Sequence, residues 1–497
     1  MSDPASAPSE LTSPTGSSDL AQVLSGHARI VAGRMQVPLT GLTADSRKVQ
    51  PGFLFVAIPG TKVDGGRFIA DALARGAAAV LMEPQGEMPA IGTASLAFSL
   101  DVRRSLALAA ARIHPRAPGT IAAVTGTAGK TSVAYFLQQV WAHLGFKAAY
   151  LGTLGLIAPG SATYGGLTSP DPVELHQTLD RLARQGVTHM ALEASSHGLD
   201  QRRLDGVQLA AGGFTNLGRD HLDYHPSVEA YYHAKLRLFT ELLPDGAPAV
   251  AGLDAPYGRT TLAWARTRGL PLLTIGHGGD FDVRAIVAEG VSQRILFNGG
   301  DEVVVPLMGR FQADNALLAA GLAWACGVPP DEALDALTGL TGVPGRLERV
   351  GEDAARPVFV DYAHKPEALA TVLDTLRPAV TGRLIVVFGC GGDRDRGKRP
   401  LMGAIAAEKA DIVIITDDNP RSEVPAAIRA EIRAAAPDAV DIGDRAEAIR
   451  AAVTMLQPGD ALVVAGKGHE TGQIVGDRTL PFSDKGAVLA AMGEMGA

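Results

Sequence analysis

The residues Thr125-Gly-Thr-Ala-Gly-Lys-Thr-Ser132 sit between a β-rich run, TIAAVT, and a segment of helical periodicity, TSVAYFLQQVWAHLG. Glycines in such a turn let backbone N–H groups face phosphate oxygens. Lys130 would reach the β- and γ-phosphates and the Thr131 hydroxyl would meet Mg²⁺. Gly126, Thr127, Ala128, Gly129, Lys130, Thr131 and Ser132 are therefore candidate phosphate ligands. The usual pattern asks for a glycine five positions before Gly129, and this chain has Val124 there. Only the second half of the pattern matches, and an ordinary glycine turn is the alternative. The strand before and the helix after favour phosphate.

Two further polar clusters follow short apolar strands: Glu193 in EASSHGLDQRR, then Asn216 and His221 in NLGRDHLDYH. Ligands of open α/β sheets gather beyond the carboxyl ends of strands, so Glu193 and His221 are candidates to hold a metal beside a nucleotide. Lys235 is different. In SVEAYYHAKLRLF the apolar stripe runs Val228, Tyr231, Tyr232, Lys235, Phe239, which puts a lysine where a leucine is expected. Either its stem packs while the ammonium snorkels to water, or the amine is buried and neutral. A neutral, nucleophilic amine can take up CO₂ as an anionic carbamate able to ligate Mg²⁺.

Three loops near the C-terminus also follow apolar strands. They are Gly389-Cys-Gly-Gly-Asp-Arg-Asp395, Asp417-Asp-Asn-Pro-Arg421 and Gly466-Lys-Gly-His-Glu470. Arg394 and Arg421 could take carboxylates bidentately, and Asp418 and Glu470 could take ammonium groups. Such loops suit a zwitterion.

The elements that must position these groups alternate along the chain. TADSRKVQPGFLFVAI and AAAVLME flank a helical stretch from Arg67 to Arg75, a small α/β unit that ends near IHPRAPGT, residues 113–120. Strand–helix alternation then runs through THMALEA, GGFTNL and a helix from about Ser227 to Leu243, which predicts a mostly parallel sheet. LTGVPGRLE near residue 343 reads as a second boundary. Beyond it RLIVVFG, DIVIITD and ALVVAG are separated by alanine-rich helices, the pattern of a doubly wound sheet. The expectation is an α/β protein of three domains. A tail at 1–20 precedes a small N-terminal domain at 21–115. A central P-loop domain spans 116–343 and a Rossmann-like domain 344–497.

Composition narrows the class. In 497 residues, 46% are hydrophobic and 20% charged, which suits packed cores and excludes global disorder. Acidic residues number 53 against 45 basic ones, a net charge of -8, the opposite of a sequence-independent nucleic-acid binder. The two cysteines, Cys326 and Cys390, form no CxxC pair. The Ser/Pro-rich start lacks a secretory pattern, and no apolar run approaches the roughly 18 residues of a membrane helix. A soluble, cytoplasmic protein is expected. SSHG is not a GxSxG elbow, HExxH is missing, and no strand opens a GxGxxG.

TGTAGKTS, EASSHGLDQRRL, FTNLGRDHLDYH with AKLRLF, GRFQADNALLAAG, GVPGRLE, VDYAHKPEAL, GCGGDRDRGKRPLMG, TDDNPRSE and AGKGHE occur in this order. Their order resembles that of the Mur ligases, most closely the MurE type, from about residue 40 to the end. The resemblance implies ATP-dependent addition of meso-2,6-diaminopimelate to UDP-N-acetylmuramoyl-L-alanyl-D-glutamate in peptidoglycan synthesis, with Mg²⁺, through an acyl phosphate. It implies that Glu193, His221 and Thr131 lie near Mg²⁺ and that Lys235 is carbamylated. Asn315, Arg346 and Asp361 would face the nucleotide, and Ser46 the uridine end. Thr168, Ser169, Ser195, Gln201 and Arg203 would hold the muramoyl dipeptide. Asp418, Asn419, Pro420 and Arg421 form the DNPR motif used for diaminopimelate, with Arg394, Gly466 and Glu470 completing the pocket. A monomer with small-molecule partners alone is expected, with no nucleic acid and no membrane insertion. Departures are Ala128 and Gln312, where asparagine is common, and Ser169, where threonine is usual. The alternatives are a related ligase for another amine such as L-lysine, a folylpolyglutamate-type enzyme, or an ATP-binding module without catalysis.

Overall fold

The computed structural model describes residues 18–60, 64–84, 88–163, 165, 167–353 and 355–495. Most of the expected 1–20 tail lies outside them. Ser18 and Asp19 already form a strand paired with Pro38–Leu39, and Leu20 begins a helix. The chain divides into two compact units. One comprises residues up to 130, 145–273 and 325–327; the other comprises 131–144, 274–324 and 328 onward.

Besides the Ser18–Asp19 and Pro38–Leu39 pair, the first unit contains strands of two larger sheets. The smaller has the order Arg29–Ala32, Ser95–Phe98, Ala79–Met82, Phe53–Val56, Gly41–Thr43, with all but the first pair parallel. The stretch read as helix from Arg67 to Arg75 is a 3₁₀ turn, Gly65–Phe68, followed by a helix at Ile69–Ala74. Two glycines at its start remove the helix-forming residues a full α-turn would use. The larger sheet places Thr120–Thr125 between His189–Glu193 and Ala211–Phe214, all parallel, with Ala148–Gly152 and Ala249–Gly252 outside them. These strands are buried on both faces, which is why they read as unbroken apolar runs. The register pairs Glu193 with Val124 and Phe214 with Thr125, so three carboxyl ends finish level.

The lysine-bearing helix is Val228–Arg237, capped by the Ser227 hydroxyl, which accepts from the Ala230 N–H at 3.1 Å. It continues as a π-turn, Leu238–Leu242, rather than as α-helix to Leu243.

In the second unit a sheet has the order Glu348–Val350, Val358–Asp361, Ala461–Ala465, Leu384–Phe388, Ile412–Ile415, Val440–Asp441, parallel after the first pair. Helices Pro366–Leu376 and Lys398–Lys409 pack within one core cluster, and Arg445–Met455 and Asp484–Met495 within another. That is the doubly wound arrangement the apolar runs predict. The unit also has an antiparallel meander, Phe281–Glu289, Ser292–Phe297, Glu302–Val305, which the sequence reading passed over.

Candidate functional site

The turn after Thr120–Thr125 is pinned by the neighbouring strand end. Thr127 N–H donates to the Asn216 carbonyl at 2.8 Å, Ala128 N–H to Asn216 Oδ1 at 3.1 Å, and Thr215 Oγ1 to the Ala128 carbonyl at 2.6 Å. Gly126 has φ +144, and a Cβ there would overlap Thr215 Oγ1, so this position accepts only glycine. Gly129, at φ +83, supplies the second left-handed residue. Ala128 contributes only backbone to these contacts, so the departure from asparagine removes no hydrogen bond within the turn. Thr131 and Ser132, at the start of the helix Lys130–His143, are buried.

Lys130 Nζ donates to the carbonyls of Gly126 and Thr127, each at 2.9 Å. Lys235 Nζ donates to the same Gly126 oxygen at 2.7 Å and lies 4.2 Å from the centre of the Tyr231 ring. Two lysine amines thus share one carbonyl. Lys235 is 1% exposed, which excludes the snorkelling reading. Burial first, and then the Lys130 charge, hold its amine well below the usual lysine range, while Asp220 opposes them weakly. The Tyr231 hydroxyl donates to Thr127 Oγ1 at 3.1 Å, tying this helix to the turn.

Glu193 is fully buried. It accepts from the Tyr150 hydroxyl, from Thr153 N–H at 2.9 Å and from Thr153 Oγ1 at 3.2 Å. Gly152 lies so close that a Cβ there would overlap the carboxylate. Tyr150 and Thr153 were not found by sequence reasoning, because AAYLGTLG carries no recognisable chemical pattern. His221 has φ +52, is half exposed, and stacks edge-on against His197 with centroids 4.8 Å apart. Among the described residues no hydrogen bond joins it to Glu193, and no three His, Cys, Asp or Glu side chains gather as a metal site.

Most of the dipeptide candidates do come together. Ser169 Oγ donates to the Glu193 carbonyl at 3.0 Å and meets Ser195 Oγ at 3.0 Å, so serine keeps the hydroxyl contact at this departure. Arg203 donates to the Ser169 carbonyl and to Gln201 Oε1, each at 2.7 Å. Thr168 reaches the group through Thr153 Oγ1 at 3.1 Å. Ser46 lies apart, buried in the turn Ser46–Lys48 beside the smaller sheet.

In the second unit Asp361 accepts from Leu347 N–H at 2.6 Å and Ala363 N–H at 2.7 Å, and burial raises its carboxyl pKa. Arg346 stacks 4.4 Å from the Tyr362 ring centre. Gln312 links the nucleotide candidates here: its Nε2 donates to the Arg346 carbonyl at 3.2 Å, and Asn315 Nδ2 approaches its Oε1 at 3.4 Å.

The parallel register also levels the other strand ends, pairing Phe388 with Ile415, Val387 with Val464 and Asp361 with Ala465. The DNPR and GKGHE loops interlock. Lys467, fully buried, donates to Asn419 Oδ1 at 3.0 Å and Glu470 Oε2 at 2.9 Å, and Asn419 Nδ2 donates to Glu470 Oε2 at 3.1 Å. Arg421, at φ +51, donates to the Gly392 carbonyl at 2.9 Å. A Cβ on Gly392 would overlap the Pro420 carbonyl, which explains the second glycine of the pair in GCGGDRD. Asp418 is buried beside Gly466, whereas Arg394 is exposed on the adjoining loop. Beneath them Arg399, fully buried, pairs with Glu423 and Glu431 at 2.8 Å each.

Comparison with known proteins finds relatives over nearly the whole chain. Three family profiles match: the Mur ligase family catalytic domain over residues 38–116, the Mur ligase middle domain over 124–323, and the Mur ligase glutamate ligase domain over 345–468. A Rhizobium meliloti UDP-N-acetylmuramoyl-L-alanyl-D-glutamate--2,6-diaminopimelate ligase is 57% identical, covering 94% of this chain and 96% of its own length. The Caulobacter vibrioides protein of that name is 52% identical over 91% and 95%. A solved structure of a ligase with the same name superposes with a TM-score of 0.72 at 33% identity, covering 97% of this chain and all of that one. A MurF ligase from Thermotoga maritima in complex with ADP shares the fold at 19% identity, TM-score 0.59, over 91% of this chain and 97% of that one. By these profiles and relatives, the chain belongs to the Mur ligase family.

Proposed function

We propose that this enzyme joins the amino group of meso-2,6-diaminopimelate to the D-glutamyl γ-carboxylate of UDP-N-acetylmuramoyl-L-alanyl-D-glutamate, a step of peptidoglycan synthesis. ATP is the energy source. The interlocked DNPR and GKGHE loops carry the reading, because with the adjoining GCGGDRD loop they set two arginines and two acids at level strand ends in the second unit. Arg421 takes the carboxylate at the far end of the diamino acid, which lysine lacks. An arginine facing a lysine ammonium would be unpaired and repelled. Arg394, Asn419, Pro420 and Gly466 line the same pocket, and Asp418 and Glu470 take ammonium groups.

The glutamyl carboxylate attacks the γ-phosphorus of ATP and ADP leaves. The incoming amine attacks the resulting acyl phosphate, and the tetrahedral adduct loses phosphate to leave the amide. Gly126 to Ser132 cradle the phosphates and Lys130 stabilises charge on the transferring oxygens. Asn315, Arg346 and Asp361 serve the rest of the nucleotide. Thr168, Ser169, Ser195, Gln201 and Arg203 orient the dipeptide, and Ser46 meets the uridine end.

Mg²⁺ prefers oxygen donors. The Thr131 hydroxyl and the Glu193 carboxylate qualify, with His221 at the edge. Lys235 qualifies once carbamylated, and its desolvation beside the Lys130 ammonium favours that conversion, since a neutral amine becomes an anion that Lys130 attracts. When bound, Mg²⁺ neutralises the phosphoryl oxygens. Among the described residues no helix is long and apolar enough to cross a membrane. We place the enzyme in the cytoplasm, as a monomer acting on small molecules.

The deciding assay supplies purified protein with ATP, Mg²⁺ and the UDP-dipeptide. Phosphate release is expected with the diamino acid and not with L-lysine. Equal turnover of the two amines overturns the assignment.

A further inference from the structure

Below the strand-end loops of the second unit lies an ion pair that the chemistry above does not use. Arg445 opens the helix Arg445–Met455 and Asp484 opens Asp484–Met495, and both side chains are fully buried. Arg445 Nε donates to Asp484 Oδ1 at 2.7 Å and Nη2 to Oδ2 at 2.8 Å, a bidentate fork. Nη2 also donates to the Ala465 carbonyl at 2.9 Å, and Nη1 approaches the Asp417 carbonyl at 3.4 Å.

Those carbonyls belong to the last residues before the two recognition loops. Ala465 precedes Gly466–Glu470, and Asp417 precedes Asp418–Arg421. Their strands, Ala461–Ala465 and Ile412–Ile415, are not neighbours, because Leu384–Phe388 runs between them. Ladders through that middle strand space the strands themselves, but no ladder hydrogen bond joins the two loops beyond the strand ends. At the loop tips Asn419 meets Lys467 and Glu470; at the base the guanidinium makes the span. The fit is close, since a Cβ on Gly466 would come within 2.8 Å of Asp418 Oδ2 and 3.8 Å of Arg445 Nη2. Burial works against the Arg445 charge, but Asp484, followed by Asp418 and Glu470, outweighs it, so the arginine stays ionised.

A buried ion pair is weak evidence of stability, because apolar residues of like volume often replace one without loss. The two carbonyl contacts are what the pair alone does not explain. We propose that Arg445, held by Asp484, is a positioning residue that sets the separation of the Asp418–Arg421 and Gly466–Glu470 loops. It thereby sets the preference for an amino acid with a second carboxylate over its one-carboxylate analogue, L-lysine. This rests on the proposed function, in which those loops hold the diamino acid.

The test is the double variant Arg445→Met/Asp484→Leu, assayed for each substrate separately. It is expected to unfold cooperatively near the wild-type temperature. Its KM for diaminopimelate should rise about tenfold or more, as for a misplaced binding group, and its preference over L-lysine should narrow. KM for ATP and for the UDP-dipeptide should not move. Arg445→Lys keeps the charge without the fork and should fall between; it carries the same comparison if the double variant does not fold. Unchanged KM and preference overturn the inference, as does a uniform loss matching the folded fraction. A wild type that uses both amines equally sinks the proposed function and this inference with it. A selective wild type with an equally selective variant sinks the inference alone.

Discussion

The two ligand-facing regions are built on opposite electrostatic plans. At the Gly126–Ser132 turn, Lys130 and Lys235 converge on one carbonyl oxygen, with the Lys235 amine desolvated. At the C-terminal loops nearly every buried charge is matched: Lys467 with Glu470, Arg399 with Glu423 and Glu431, Arg445 with Asp484. In the first region two lysine amines meet at one oxygen, and on the proposed function the phosphates of ATP bring the opposite charge there. The second is prebuilt, with its loop geometry settled before the amino acid binds, which suits discrimination between amines differing in one carboxylate. On the proposed function, the desolvated Lys235 amine of the first region serves catalysis, and the charges paired in advance in the second serve recognition.

Removing the unmatched amine should have the largest effect. Lys235→Met is expected to lower turnover about 10²–10³-fold, the scale of losing one preorganised electrostatic group, with short carboxylates restoring part of it. Thermal stability should hold or rise, because a desolvated ammonium is removed. The folded amine titrates well below the ordinary lysine value of 10.5 because burial disfavours its charge. Between its folded pKa and 10.5 the unfolded chain therefore binds more protons, and wild-type stability rises with pH. The stability advantage of Lys235→Met should be full below the folded pKa and vanish toward 10.5. Calorimetry across that range, beside turnover, checks both halves; a variant with wild-type turnover breaks the contrast.

Next in size is Arg421→Ala, expected to raise KM for diaminopimelate about 10–100-fold, as for a lost charge-assisted pair, while L-lysine, no longer repelled, gains some turnover. Loss with diaminopimelate and no gain with L-lysine would show that the arginine serves the loop fold rather than the carboxylate. Tyr150→Phe removes a donor to Glu193 without changing volume. About tenfold lower turnover at a raised Mg²⁺ requirement is expected, as for groups that orient a metal ligand, read from Mg²⁺ titrations. The smallest effect belongs to Ser227→Ala, which uncaps the helix bearing Lys235. A stability loss of about 1 kcal/mol by denaturant unfolding is expected, with amine preference unchanged.

The strand ends were legible because parallel strands buried on both faces read as apolar runs, and the polar residues after them stand out. Lys235 was legible as an interruption in a helical stripe. Gly152, Tyr150 and Thr153 were not, because what matters is the close approach of a carboxylate from another strand, His189–Glu193, and nothing local announces it. The antiparallel meander at 281–305 was passed over beside longer βα alternation.

Local order along the chain thus determined the alternating elements, the glycine turns and the motifs at their carboxyl ends, since hydrophobic period and backbone freedom are properties of neighbouring residues. Tertiary structure decided which charges meet: that Lys235 is buried against Gly126, that Glu193 is held by Tyr150, and that Arg445 reaches Ala465 and Asp484. Such pairings join residues 20 to more than 100 positions apart, and their energies depend on burial and distance, quantities that exist only once the chain has folded.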